Sequence, residues 1–266
     1  MRNFSMYVFA TVMTFFLFFH PDETKASPRL NVLSGEKLFD IPTEDNLQGV
    51  AYWDNHFYVG YDVGKGYGVI RKYNSGGKLV KETEPLSIGH AAELDFRESN
   101  KRLYVSNGGG KNPTFIYEID ILSSKPSITR KIDFHSLGNA GLVAIDHHSD
   151  TLVIHTAESD TTPPKLSIAD FNGNIIKQFP IKYQGIPQGL EVFNGIIYFQ
   201  TNNLLTMLNF NGQIIGQTAI KEPGESEGIT ILTKGGKDYY IYAYRHGNRI
   251  YRADLYTIHK LALLKE

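Results

Sequence analysis

A small residue returns to the same place in five successive stretches of this chain: Gly49, Ala92, Gly141, Gly189 and Gly228, spaced 43, 49, 48 and 39 residues apart. Each opens a unit of one plan. The first runs QGVAYWDNHFYVGY, GVIRKYN, KLVKE; the second AAELDF, RLYVSN, FIYEIDI, ITRKIDF. The third runs AGLVAIDHHSDTLVIHT, KLSIADFNGN, IIKQFPI; the fourth QGLEVFNGIIYFQT, LLTMLNFNGQ, IIGQTAI; the fifth EGITIL, YYIYAY, RIYRADL, HKLALL. A period of this length with four short Val-, Ile-, Tyr- and Phe-rich runs per unit is the signature of four-stranded propeller blades. Asn172-Gly173, Asn194-Gly195 and Asn211-Gly212 supply the residues that tolerate positive φ in tight hairpins. A lone four-stranded sheet would leave an apolar face in water. The units must therefore pack on one another, and the expected fold is all-β, a five-bladed β-propeller of four-stranded antiparallel blades.

The outer-strand pattern occurs six times for five blades: Glu36–Ile41, Lys78–Glu84, Ile128–Phe134, Ile175–Ile181, Ile214–Ile220 and Ile258–Leu264. The favoured arrangement has EKLFDI (36–41) completing the last blade beside the C-terminal strands; a sixth, degenerate blade is the competing one. No stretch after residue 26 shows sustained helical periodicity, and no linker is seen beyond the Ser27–Leu33 lead-in.

Residues 1–26 read as a signal peptide. A short positive start precedes Ser5–Phe19, fifteen residues without a charge, and Thr24-Lys25-Ala26 is a small-residue cleavage box. Residues 27–266 are then expected as a single propeller domain in a secreted, extracellular or cell-wall-associated protein. The apolar run is shorter than the roughly 20 residues that span a bilayer, so no stable membrane insertion is expected after cleavage. The net charge of −1 gives no electrostatic reason to expect nucleic acid. With no cysteine, packing alone must hold the fold.

In a propeller the innermost strands line a central channel, and the loops before them open onto one face. That makes the repeat starts the natural place for a site. The candidate ligand-binding residues are Gln48, Asp62, His90, Glu93, Gln188, Glu191 and Glu227, with Asp62 opening the glycine-rich stretch that ends at Gly68. His90 differs in type from every residue at the matching place in other blades. Asp146-His147-His148-Ser149-Asp150 has a metal-like composition but reads as a solvated hairpin turn, and Ser106–Asn112 reads as a flexible glycine-rich loop. Tyr61 and Tyr67 are candidates for stacking on sugar rings. No Ser sits in a G-x-S-x-G elbow, so a hydrolase triad cannot be argued.

The succession QGVAYWDNHFYVGYD, IRKYNSGGKLV, SIGHAAELDFRESNKRLYVSNGGG resembles the propeller shared by helveticin J-type bacteriocins, teichoic-acid biosynthesis protein C and the receptor-binding proteins of some staphylococcal phages. The marker residues are Gly89, His90, Ala91, Leu103, Tyr104, Val105 and Asn107, and the likeness is densest over residues 46–122. This resemblance implies recognition of a cell-wall glycopolymer such as teichoic acid, or a small carbohydrate, at the channel mouth. It brings no catalytic residues, cofactor or metal, and the expected state is a monomer. Lys65, Arg71, Lys72, His90 and Lys111 would supply positive charge toward phosphate. A second resemblance points to an enzyme. Leu47-Gln48-Gly49-Val50-Ala51-Tyr52 is similar to the "TQGL-x-Y" opening of five-bladed glutaminyl cyclases, and Ser226-Glu227-Gly228-Ile229-Thr230 to their "GEGLT" step, whose glutamate works in acid–base catalysis. Here that step falls in the last repeat and not the second, and Trp53 is the chain's single tryptophan. A lactonase-type hydrolase and a bacteriocin-like role are the remaining alternatives.

Overall fold

The structure is a computed structural model that describes residues 30–157, 164–245 and 247–263; the signal-peptide reading lies outside them. The strands fall into five sheets in sequence order. The first is β3 (Asn46–Trp53), β4 (His56–Gly64), β5 (Tyr67–Asn74) and β6 (Leu79–Glu82). The second is β7 (Glu93–Arg97), β8 (Arg102–Ser106), β9 (Phe115–Asp120) and β10 (Ser127–Asp133). β11 (Asn139–Asp146), β12 (Thr151–Ala157), β13 (Lys165–Ala169) and β14 (Ile175–Pro180) make the third. The fourth holds β15 (Pro187–Phe193), β16 (Ile196–Thr201), β17 (Leu204–Leu208) and β18 (Ile214–Ile220). The fifth holds β19 (Ser226–Lys234), β20 (Lys237–Tyr244), β21 (Arg249–Asp254) and, as its outermost strand, β2 (Glu36–Asp40). The innermost strands β3, β7, β11, β15 and β19 touch their neighbours in cyclic order, with β19 returning to β3. The fold is a five-bladed β-propeller.

The repeated small residue is explained by this crowding. A Cβ on Gly49 would stand 2.9 Å from Glu93 Cα, and one on Gly228 would stand 2.6 Å from Gly49 Cα. Five apolar clusters fill the five gaps between blades. Each pairs the inward-leaning residues of one sheet with those of the next, so every blade buries both faces, which an isolated sheet could not do.

The ends of the chain decide closure. EKLFDI pairs antiparallel with β21 (Lys37 opposite Tyr251, Asp40 opposite Arg249), so the ring is closed by its own N-terminal strand and no sixth blade exists among the described residues. One expectation is corrected. The C-terminal outer-strand candidate, from Ile258, is part of a helix, α1 (Leu255–Leu263). Asp254 caps it, its carboxylate accepting from the Thr257 N–H at 2.9 Å. Leu255, Ile258 and Leu261, at helical spacing, lie on the cluster between blades 4 and 5. The expected strand fails because that outer position was already taken by β2. The lead-in is structured: β1 (Val32–Leu33) adds a fifth strand to blade 4, parallel to β18, with Leu33 buried.

Phe39 is the apolar anchor of the closing strand, buried against Phe57 at 5.3 Å between ring centres and against Gly77. Phe39→Ala is expected to lower the urea unfolding free energy by about 3 kcal/mol; a loss under about 1 kcal/mol would mean the closing strand adds little to the ring.

Candidate functional site

Four of the five innermost strands start with a β-bulge. The register slips between Leu47 and Gly49, Asn139 and Leu142, Pro187 and Gly189, and Ser226 and Ile229. Ala91, before the remaining strand, has φ of +51°. A bulge leaves one residue unpaired and turns its side chain out of the ladder. The unpaired residues include Gln48, Gln188 and Glu227, and all three line one cavity of about 270 Å³ at the channel mouth. His90, Asn46, Glu225, Arg245 and the backbone of Gly109 and Gly110 add to its wall, with apolar residues such as Leu142, Ile186 and Pro187 between them.

Most cationic groups here are already engaged. Arg245 pairs with Glu225, reaches Glu227 Oε1 at 3.6 Å and donates to Asn46 Oδ1 at 3.0 Å. The Gln188 amide donates to Asn202 Oδ1 and Glu225 Oε1 at 3.3 and 3.2 Å. His90 Nδ1 sits 2.9 Å from Asp62 Oδ2, so the structure brings those two candidates together. Glu227 is buried. Loss of water pushes its carboxyl up to about 9, Glu225 adds to the rise and Arg245 opposes it. At neutral pH this is a carboxylic acid able to donate and accept.

Two candidates stand elsewhere. Glu93 is fully buried on the channel axis. Its Oε2 accepts from the Leu190 N–H of blade 4 at 2.9 Å, its Oε1 from the Leu94 N–H at 3.3 Å, and the Ile229 N–H of blade 5 contributes as well. Burial dominates these bonds and raises its carboxyl well above the ordinary range. Such a group ties blades together and blocks the channel. Glu191, two residues beyond Gln188 and its glycine, faces the opposite mouth together with Asp95 and His147. The shared mouth therefore gathers Gln48, His90, Gln188 and Glu227, with Asp62 behind His90, and separates Glu93 and Glu191 from them.

Further readings are revised. Tyr61 is buried, its hydroxyl 3.1 Å from that of Tyr73, while Tyr67 is exposed. Arg71 is held by Glu82 and by Asp45 at 2.5 Å, so it is not a free phosphate ligand. The Ser106–Asn112 loop packs on His90: a Cβ on Gly109 would fall 2.2 Å from the imidazole Cδ2. Within the Asp146–Asp150 turn, His147 reaches into the far mouth, 3.6 Å from Asp95 Oδ1. The start of the fifth repeat also offered Glu225, which the structure places in this wall; sequence reasoning missed Arg245, which follows no repeat pattern, and Asp95, which could have been found as the residue two places after Glu93 on an innermost strand.

No family model matches the chain, and no curated protein matches it in sequence. Solved structures share its fold. A glutaminyl cyclase from Myxococcus xanthus superposes with a TM-score of 0.63 at 16% identity, over 85% of this chain and 98% of that one. The tail fiber of Staphylococcus aureus phage P68 does so with a TM-score of 0.58 at 18% identity, over 86% of this chain and 55% of the fiber's. A putative oxidoreductase (glucose dehydrogenase) from Thermus thermophilus gives 0.51 at 12% identity, over 82% and 99%. At these identities the likeness is one of fold.

Raised acid groups make the fold sensitive to alkali. Glu227 ionises near 4.5 when unfolded and near 9 when folded, so between those values folding takes up a proton and stability falls as pH rises. Glu191, raised to about 8 mainly by burial and then by Asp95, acts in the same direction. Glu227→Gln removes one such proton. Denaturation measured from roughly pH 5 to 9 is expected to show a flatter pH slope in this variant and a higher midpoint at the alkaline end. A variant less stable than the parent at alkaline pH would contradict the neutral-acid assignment.

Proposed function

We propose that the protein binds a neutral, hydroxyl-rich unit, a sugar or polyol residue of a cell-wall glycopolymer, in the cavity at the channel mouth. The observation that supports this most is the protonated Glu227 set among amides and a closed arginine pair. A carboxylic acid beside the Gln48 and Gln188 side chains offers donors and acceptors without net charge, which suits vicinal hydroxyls. Phosphate is less suited to the cavity itself, because the Arg245 charge is already offset by Glu225 and His90 Nδ1 is taken by Asp62. In a polymer bearing phosphates, these would lie toward the rim, where Lys65 and Lys111 are exposed. The fold shared with a staphylococcal phage tail fiber agrees with a surface-binding role. Purified cell walls should retain the protein, and walls stripped of teichoic acid should not. Gln188→Ala should weaken retention roughly tenfold, since it removes an amide donor and acceptor from the cavity wall. Equal retention by intact and stripped walls would refute the glycopolymer assignment.

One observation favours an enzyme as the second reading. Gln48 and Glu227, the polar residues of the two cyclase-like steps, line one cavity from the neighbouring blades 1 and 5. A propeller cyclase shares this fold. Glu227 would then carry the proton between the attacking amine and the departing ammonia. An N-terminal-glutamine peptide should be cyclised by the parent and not by Glu227→Gln if this reading holds; absence of turnover in the parent removes it.

A further inference from the structure

The opposite mouth of the channel holds a second cavity, of about 280 Å³. Trp53 forms part of its wall, stacked on Phe96 with 3.9 Å between ring centres and 14° between planes. Four carboxyl groups line it: Asp54 and Glu98 near solvent, Asp95 and Glu191 buried. They share it with one imidazole, His147, and no lysine or arginine is among the lining residues. Asp95 cannot swing away, because its oxygens accept from the Phe96 and Ile145 N–H groups at 2.6 and 2.7 Å. His147 stops 3.6 Å from it, beyond a good hydrogen bond, with its side chain 45% exposed.

We infer that this far mouth is a binding site for a small organic ammonium compound. Aromatic side chains, Tyr52, Trp53 and Phe96, and carboxylates lining one cavity attract such a cation through its charge and its apolar substituents together. Phosphates and carboxylates would be repelled. A hard metal ion is a poorer fit, since the described residues hold no group of three or more His, Asp or Glu close enough to ligate one.

The site should also exchange protons for its ligand. Burial disfavours the His147 charge, but Asp95 more than offsets this, with Glu191 and Glu98 adding, and lifts it to about 9. Glu191, at about 8, also keeps its proton at neutral pH. Asp54, Asp95, Glu98 and Tyr52 are the other titratable groups that line the cavity, and Tyr198 and Asp238 act on Glu191's side of the sheet. A bound cation lowers the affinity of both groups for their protons, so binding tightens as pH rises toward 9.

Because Trp53 is the single tryptophan of the chain, indole fluorescence reports on this cavity alone. Choline and glucosamine would be titrated against their uncharged counterparts, 3,3-dimethylbutanol and glucose. The cations should give saturable changes, the neutral compounds should bind roughly tenfold more weakly or not at all, and the affinity of choline, whose charge does not titrate, should rise from about pH 6.5 to 8.5. Glu191→Gln should weaken cation binding about tenfold at the higher pH with an unchanged circular dichroism spectrum. The exposed pair Asp54→Asn and Glu98→Gln, which carries no folding risk, should weaken it severalfold. Cations that bind no better than the neutral compounds, or that fail to saturate, would overturn the proposal, as would variants that bind like the parent.

Discussion

Everything in this molecule is arranged around a single buried carboxyl. Glu93 lies on the axis of the ring, and backbone N–H groups of blades 2, 4 and 5 converge on it. Two residues on, Asp95 reaches the Ile145 N–H of blade 3. One innermost strand thus bonds to three other blades across or beside the channel. A propeller otherwise holds together only through pairwise contacts between neighbouring sheets, so a crossbar at the centre fixes all the innermost strands against each other. The cost is an acid removed from water, which raises its carboxyl well above the ordinary range even though the converging N–H groups oppose the rise.

The crossbar also divides the channel. On one side the bulged strand starts present amides, a neutral acid and a closed arginine pair. On the other, straight strand ends present carboxylates, an imidazole and an aromatic wall. The two mouths differ in charge because each draws on a different end of the innermost strands: Gln188 near the start of β15 and Glu191 further along it line different cavities. The two proposed sites therefore draw on different residues of one ring.

Much of this was legible in the residues. The five glycine or alanine positions identified the blades because their spacing reflects a packing need: no larger residue fits where Gly49, Glu93 and Gly228 crowd the axis. The closing role of EKLFDI was legible because a ring must join its ends. The helix at Leu255–Leu263 was not, since HKLALL suits either structure and only the prior occupation of the outer position decides between them. At the site, Gln48, His90, Gln188 and Glu227 could be grouped from their places before the innermost strands. Glu93 and Glu191 lie three places beyond His90 and Gln188, and their burial depends on how deep the channel is filled, which the repeat pattern does not encode. His147 does lie in an exposed hairpin turn, and its approach to Asp95 depends on the neighbouring blade, which the turn itself does not encode.

The account depends most directly on the state of the Glu93 carboxyl, which carbon-13 NMR of the glutamate side chains can follow through a pH titration. A midpoint well above 4.5, with the Leu190 amide among the slowest to exchange its hydrogen, is the predicted result. An ordinary carboxylate midpoint, or a rapidly exchanging Leu190 amide, would mean that water reaches the axis and that no crossbar separates the two mouths.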